Sequence, residues 1–121
     1  MLMQDSFELI ITVVNRGHSD EVMDAAKAAG ASGGTIITAR GAGVHEAETF
    51  FGIAIQPEKE VVLILIQKDK RQDVMKEICK RAGLTSEGHG LSFSLPVDEV
   101  MGITHLSRLL EEKDQNPDEP A

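Results

Sequence analysis

The stretch EVVLILIQ, residues 60–67, has apolar side chains at both sets of alternating positions. Its length and its β-branched residues predict a buried β-strand. In a two-layer domain one face of a strand packs on helices, so only that face needs to be apolar. A second apolar face therefore predicts another covering layer, and a second copy of the chain is the expected one.

The stretch FELIITVVN, residues 7–15, has lost the alternation of apolar and polar residues in the same way. We expect the second apolar face of the sheet to be buried between subunits. The residues taken to represent it are Ile10, Val62, Ile64 and Ile66. The alternative is that a loop or the C-terminal segment folds over this face.

The order strand–helix–strand occurs twice along the chain. The predicted strands are 7–15, 34–40, 60–67 and 91–97, and the predicted helices are 17–30 and 70–83, with a short helical turn at 98–103. This order is that of the split βαβ arrangement. The sequence therefore predicts an α+β, ferredoxin-like βαββαβ sandwich with a four-stranded antiparallel sheet and two helices on one face.

Local signals agree with these boundaries. Ser19 is the expected N-cap of the first helix, and Gly30 is expected near its C-terminal cap. Helical spacing places Val74, Ile78 and Ala82 on one inward face of the second helix. Pro96 indicates an edge position for the last strand, because proline cannot donate a hydrogen bond to a neighbouring strand.

The chain has 121 residues and a net charge of −8 at pH 7. We expect one domain over residues 1–110, followed by a separate segment over residues 111–121. That segment carries five acidic residues, one lysine and no large apolar residue, so its composition predicts disorder.

Composition also narrows the class of function. The excess of acidic residues and the lack of a basic stripe argue against nucleic acid as a partner. No apolar run has the length of a membrane-spanning helix, so no membrane insertion is expected. A single cysteine, Cys79, excludes an internal disulfide, is expected in the core and fits a cytoplasmic location.

Two short glycine motifs adjoin the predicted strands. Gly41-Ala42-Gly43 follows the second strand, and Gly88-His89-Gly90 precedes the last one. Each is compatible with a tight turn or with close approach of the backbone to a ligand, and two such loops point more strongly to a ligand if they converge across a subunit boundary. The first motif is not a dinucleotide fingerprint, because Glu46 stands at the position of the third glycine.

The two glycine motifs belong to a longer pattern of residues along the chain. In order, the pattern consists of Gly30, Gly33, Thr35, Gly41, Gly43, Gly88, Gly90 and Phe93, followed by LPVDEV. In this order and spacing, residues 7 to about 106 resemble the nitrogen regulatory protein P-II family. The resemblance implies a homotrimer of ferredoxin-like subunits with inward-facing sheets. It also implies that the loop after Gly43 is a shortened T-loop contacting a partner protein, and that the Gly88 turn is a B-loop at an adenine-nucleotide cleft between subunits.

The residues expected to clamp phosphate differ from the family pattern. Ser86 and Leu91 stand where the family has lysines beside the B-loop glycines, and Val44 replaces the basic residue after Gly43. The family's arginines on the last strand correspond to Gly102 and Thr104. An adenine nucleotide therefore remains a possible ligand, but we expect weak binding of ATP, because each charged contact to phosphate contributes about 1.5–3 kcal/mol.

A group of imidazole and carboxylate side chains lies in the loop and in the second glycine motif. His45 occupies the position of the family's metal-contacting glutamine, Glu46 and Glu48 follow it in the loop, and His89 lies in the Gly88 turn. A divalent metal accepts such ligands, with His45 and His89 as candidates, although no tight ligand spacing is present. An exposed polar loop without metal is the alternative.

The partner loop is taken to span residues 43–56. Glu46, Glu48, Phe50 and Phe51 are its candidate contact residues, and the two phenylalanines are alternatively anchors packed on the sheet. The candidate effector-binding residues are Gly41, Gly43, His45, Gly88, His89 and Gly90.

No nucleophile with a separately oriented base is evident, so no enzymatic activity is expected. The sequence predicts a P-II-like signal-transduction protein of the nitrogen-regulation type. It would bind a small effector between subunits and regulate a protein partner, a transporter or an enzyme. One alternative is a trimeric divalent-metal-binding protein that resembles the CutA proteins and shares this architecture. Another is a purely structural trimer with an empty cleft.

Overall fold

Six strands and two helices are present in the computed structural model, which describes residues 6–41, 48–50, 53–55, 57–86 and 88–102. In chain order they are β1 (Phe7–Asn15), α1 (Ser19–Ala28), β2 (Thr35–Arg40), β3 (Glu48–Phe50), β4 (Ile53–Ile55), β5 (Glu58–Gln67), α2 (Lys68–Ala82) and β6 (Gly90–Val97).

A four-stranded sheet in the order β2-β5-β1-β6 is the framework of the fold, and every neighbouring pair in it is antiparallel. The predicted ferredoxin-like arrangement is confirmed, and Pro96 lies in an edge strand as expected. The sequence did not indicate β3 and β4, which form a separate two-stranded hairpin within the predicted loop. The prediction of a helical turn at 98–103 is wrong for residues 98–102, which are not helical. Gly102 has a φ of 92°, which is incompatible with a right-handed helix. A segment this short also forms too few hydrogen bonds to nucleate a helix.

The hydrophobic core lies between the sheet and both helices. The helices contribute Val22, Ala25, Ala26, Val74 and Ile78 to it, and the strands contribute Ile10, Val14, Val62, Ile64 and Ile66. The inward positions predicted for Val74 and Ile78 are therefore confirmed.

The assignment of Ile10, Val62, Ile64 and Ile66 to a subunit interface is wrong. Their exposed fractions are between 0% and 5%, because the helices of the same chain cover them. Alternation along a strand separates two sets of residues, but when both are apolar it does not say which set faces the helices.

The opposite side of the sheet, here called the outer face, is also apolar across all four strands. Strand pairing places the following residues on it: Phe7, Leu9, Ile11, Val13, Ile37, Val61, Leu63, Leu65, Leu91, Phe93, Leu95 and Val97. Four of them remain 40% to 54% exposed: Ile37, Leu91, Phe93 and Leu95. The expected second apolar face thus exists, but it is formed by the other set of side chains.

The N-terminus of α1 is held by a carboxylate from the sheet. Ser19 is the first helical residue and not the N-cap, and His18 at the cap position makes no side-chain capping bond. Instead, Glu60 Oε1 accepts hydrogen bonds from the backbone N–H groups of Gly17 at 3.0 Å and Ser19 at 3.1 Å. A hydrogen bond from the Ser19 side chain, those two N–H groups and the charge of Arg16 lower the pKa of Glu60 below 4.5.

Glycines end both helices. After α1, Gly30 N–H donates to Lys27 C=O and Ala31 N–H donates to Ala26 C=O, which is the Schellman pattern. Gly83 follows α2 with a left-handed backbone conformation. The expected role of Gly30 is confirmed. Within the described residues, neither helix has the length and apolar character needed to cross a membrane.

We predict that Glu60→Gln destabilises the protein at pH 7 by about 1 kcal/mol, the usual contribution of a helix-capping carboxylate. Because the folded-state pKa of Glu60 is lowered, its stabilisation is present above pH 4.5 and is lost as the pH falls through the folded-state pKa. Urea unfolding of parent and variant, at one protein concentration, should show a difference at pH 7 that disappears towards pH 3.

The control is Asp24→Asn, which removes an exposed carboxylate from α1. It should change the free energy of unfolding little at either pH. An effect of Glu60→Gln that is equal at pH 7 and pH 3 would contradict the proposed carboxylate cap.

Candidate functional site

The Gly88–Gly90 turn connects α2 to the edge strand β6. Ser86 N–H donates to Gly83 C=O and His89 N–H donates to Ser86 C=O, so the turn is built from successive backbone hydrogen bonds between residues three apart in sequence. Gly88 has a φ of 84°, which favours glycine. His89 is exposed at the tip of this turn.

Gly90 is required by the packing of the sheet. Its φ is 131°, and a Cβ atom added to it would lie 2.2 Å from the carbonyl oxygen of Val13 on β1. This glycine therefore lets the last strand begin in close contact with the backbone of its neighbour.

Gly41 lies at the end of β2, on the other edge of the sheet. Its N–H donates to Pro57 C=O at 3.2 Å. Its φ is not positive, and no atom outside its immediate neighbours would lie within 4 Å of a Cβ atom added to it. The part of the chain that the structure describes thus gives no steric or conformational reason for glycine at this position.

The two glycine motifs lie at the same end of the sheet but at opposite edges. Gly41 follows β2 and Gly90 begins β6, and both β5 and β1 lie between these strands. Three spacings of about 4.8 Å each place them about 14 Å apart. A single chain does not bring them into one binding site.

Polar side chains connect the intervening strands at this end. Lys59 Nζ donates to Asn15 Oδ1 at 2.6 Å, and Asn15 Nδ2 donates to Gly88 C=O at 2.9 Å. Lys59 is buried, and the neighbouring Arg16 forms an ion pair with Glu58. Asn15 therefore links the first residues of β5, which follow the partner loop, to the glycine turn.

The structure describes only some of the remaining candidate residues. Gly43, His45, Glu46 and Phe51 lie outside the described residues. Glu48 and Phe50 begin and end β3, where their backbones pair with Ile55 and Ile53 of β4. Over the described ranges there is no group of three or more His, Cys, Asp or Glu side chains placed to hold a metal ion.

The phosphate-clamp positions carry no charge where they are described. Ser86 is exposed beside the glycine turn, and Leu91 is 54% exposed on the outer face of the sheet. Arg40, next to Gly41, is an exposed cation at the same end of the sheet.

A groove of about 620 Å³ opens on the outer face at the other end of the sheet. Leu9, Leu63 and Leu65 form its apolar wall, and its rim is lined by residues 32–35, Val97 and residues 99–101. Sequence reasoning did not select this groove, although the Gly33-x-Thr35 motif that contributes to it was part of the family resemblance.

A family model decides the classification. The model of the nitrogen regulatory protein P-II matches residues 7–105, which include both glycine motifs and every strand of the sheet. The chain belongs to the P-II family. This match favours the P-II interpretation over the alternative resemblance to the CutA proteins.

Among solved structures, the P-II chain is similar to the crystal structure of Arabidopsis thaliana PII bound to citrate. The two sequences are 23% identical, the TM-score is 0.65, and the alignment covers 87% of each chain. This similarity supports the fold. No curated protein matches the sequence.

We predict that the two glycine motifs respond differently to substitution. Gly90→Ala should lower the free energy of unfolding by about 2 kcal/mol or more, because a side chain there meets the β1 backbone and the φ is unfavourable. Gly41→Ala should change it by no more than about 0.5 kcal/mol. Chemical denaturation of both variants at equal protein concentration measures the difference, and equal destabilisation would contradict the distinction.

Proposed function

We propose that this P-II family member is a non-enzymatic regulatory protein that forms a homotrimer in the cytoplasm. It binds a small effector between subunits and regulates a transporter or an enzyme through the 43–56 loop. The main supporting observation is the placement of Gly41 and the Gly88–Gly90 turn on opposite edges of one sheet. A neighbouring copy can place its β2 edge beside this chain's β6 edge and so complete the site.

The outer face of the sheet supports the trimer. It carries apolar side chains on all four strands, and its exposed members include Phe93 and Leu95. Contiguous apolar surfaces of this kind mark protein–protein contacts, and burying them contributes about 25 cal/mol per Å². Burial against two further copies would remove the face from water.

Gly41 supports an effector site at the subunit boundary. Because the described part of the chain gives no reason for glycine there, close approach of a ligand is the better explanation. The effector would contact Gly41 and Gly43 of one subunit and residues 88–90 of the next. His45, adjacent to the first pair, would connect the ligand to the loop.

The Lys59–Asn15–Gly88 connection supports a link between effector and loop. A ligand that contacts the Gly88 turn can alter the hydrogen bond from Asn15, and Asn15 also accepts the bond from Lys59 at the base of the loop. Regulation then requires that the ligand bind one arrangement of these groups more tightly than another.

The charge distribution supports an effector other than tightly bound ATP. Ser86 and Leu91 cannot neutralise phosphate. Among the described residues, cations near this end of the sheet include Arg40, the paired Arg16 and Lys59, and Lys80 and Arg81 in the last turn of α2. Because the similar Arabidopsis thaliana PII is bound to citrate in its crystal structure, a tricarboxylate is a suitable first probe beside nucleotides and divalent metals.

We predict that Leu95→Asp dissociates the trimer, because it places a charge within the apolar outer face. Ile36→Asp is the matched control: Ile36 is 42% exposed, close to the 46% of Leu95, but it lies on the helix side of the sheet. Light scattering at micromolar concentration should give a trimer for the parent and the control and a monomer for Leu95→Asp. A monomeric parent would refute the proposed assembly.

We predict that the parent protein shows no micromolar affinity for ATP and that Ser86→Lys, which leaves the apolar outer face unchanged, strengthens ATP binding. The new charge-assisted contact should strengthen binding about tenfold or more. Calorimetry at physiological salt measures the effect, and Thr85→Lys controls for the added positive charge beside the turn. Micromolar binding by the parent, or equal gains in the control, would contradict the proposed role of the phosphate-clamp positions.

A further inference from the structure

A second groove, the α2–β6 groove, lies on the helix side of the sheet. Its volume is about 710 Å³, and its lining includes Arg71, Met75, Lys76, Cys79, Leu84 and Ser94. The helical residues recur at spacings of three and four, so they share one side of α2. This groove adjoins the proposed effector site at Gly90 and Leu91, which also line it, and its other lining residues lie away from the glycine motifs.

The groove exists because the edge strand β6 presents small side chains to the helices. Ser92 and Ser94 are on the helix side, paired with Thr12 and Ile10 of β1, and the Ser92 and Thr12 hydroxyls are 2.9 Å apart. The large core residues that the sheet contributes come from β1 and β5. Space therefore remains between α2 and β6 that serines do not fill.

The helix beside this groove is positively charged, although the whole chain has a net charge of −8. Residues 68–82 contain six basic and three acidic residues, a net charge of +3. Arg71 is partly exposed and pairs with Glu8, and Arg81 pairs with Glu77. Within the described residues, Lys76 and Lys80 form no ion pair.

The chain carries a segment of matching chemistry after the part that the family model covers. The model ends at residue 105. Residues 106–121 contain Leu106, Arg108, Leu109 and Leu110, followed by five acidic residues and one lysine, so the segment has a net charge of −3. The leucines offer apolar surface to Met75 and Leu84, and the carboxylates offer charge to Lys76 and Lys80.

The length of chain available is sufficient. The described part ends at Gly102, and the 19 residues beyond it span up to about 63 Å when extended. The 15 residues of α2 are about 22 Å long. The acidic end of the segment can therefore reach any part of the helix.

We propose that residues 106–121 dock in the α2–β6 groove, held by charge attraction to Lys76 and Lys80 and by leucine contact with the groove. The docked segment covers the groove. The groove includes Gly90 and Leu91 of β6, the edge at which the proposed trimer places a neighbouring copy. Comparing the full chain with a truncated one separates the effect of the segment from that of a neighbouring copy.

The only cysteine of the chain provides a built-in probe. Cys79 lines the groove and is partly accessible, so a docked segment would slow its reaction with N-ethylmaleimide, a neutral reagent. Mass spectrometry follows the rate in three proteins: the full chain, a chain ending at residue 105, and a full-length chain with Glu111, Glu112, Asp114, Asp118 and Glu119 changed to amides.

Both altered proteins should react at least about threefold faster than the full chain at low salt, because a thiol that is covered most of the time reacts only in the open fraction. At 1 M NaCl the Debye length falls to about 3 Å, so the full chain should approach the rate of the altered proteins. A synthetic peptide of residues 106–121 should slow the truncated chain again.

Two substitutions on α2 localise the effect. Lys76→Glu should remove the protection, whereas Lys70→Glu should keep it, because Lys70 lies on the side of α2 that faces Gly30 and α1. Circular dichroism confirms that each protein is folded. The proposal is overturned if truncation leaves the Cys79 rate unchanged at low salt, or if the two lysine variants behave alike.

Discussion

The structure depends on a four-stranded sheet that is apolar on both faces while the chain supplies helices for only one. The covered face holds Ile10, Val62 and Ile64 at full burial against α1 and α2. The outer face keeps Phe93, Leu95 and their neighbours partly in water. Because the free energy falls when apolar surface leaves water, the first face drives folding, and the second face is the surface on which the proposed association depends.

Strand order then decides where function can be located. β2 and β6 are the two edges, and the loops that carry Gly41 and Gly88 leave the sheet at the same end of it. The strands between them are joined by the hydrogen bonds of Asn15 to Lys59 and to Gly88. A site that uses both loops must be completed across a boundary, yet its two halves remain connected within each chain through these polar contacts.

Much of this architecture could be predicted from the sequence, because strands and helices leave their own periodicities. The bounds of β1 follow from its strand pattern, Pro96 indicates the edge position of β6, and Gly30 marks the end of α1. The orientation of the sheet could not be predicted: both residue sets of β5 are apolar, and only packing shows that Ile64 faces the helices. The cap of α1 was equally hidden, because Glu60 is 41 residues away from Ser19 in sequence. The glycine loops were found as motifs, but their separation depends on the order of the strands.

The glycines show how a functional interpretation must be separated from the demands of the fold. Gly90 is explained by the carbonyl oxygen of Val13, and Gly88 by its positive φ, so neither requires a ligand to account for it. Gly41 has neither explanation within the described residues. A glycine that the packing of its own chain does not require is better evidence for contact with another molecule than a glycine that this packing makes necessary. Of the three described glycines in the two motifs, Gly41 therefore carries most of the argument for a site at the subunit boundary.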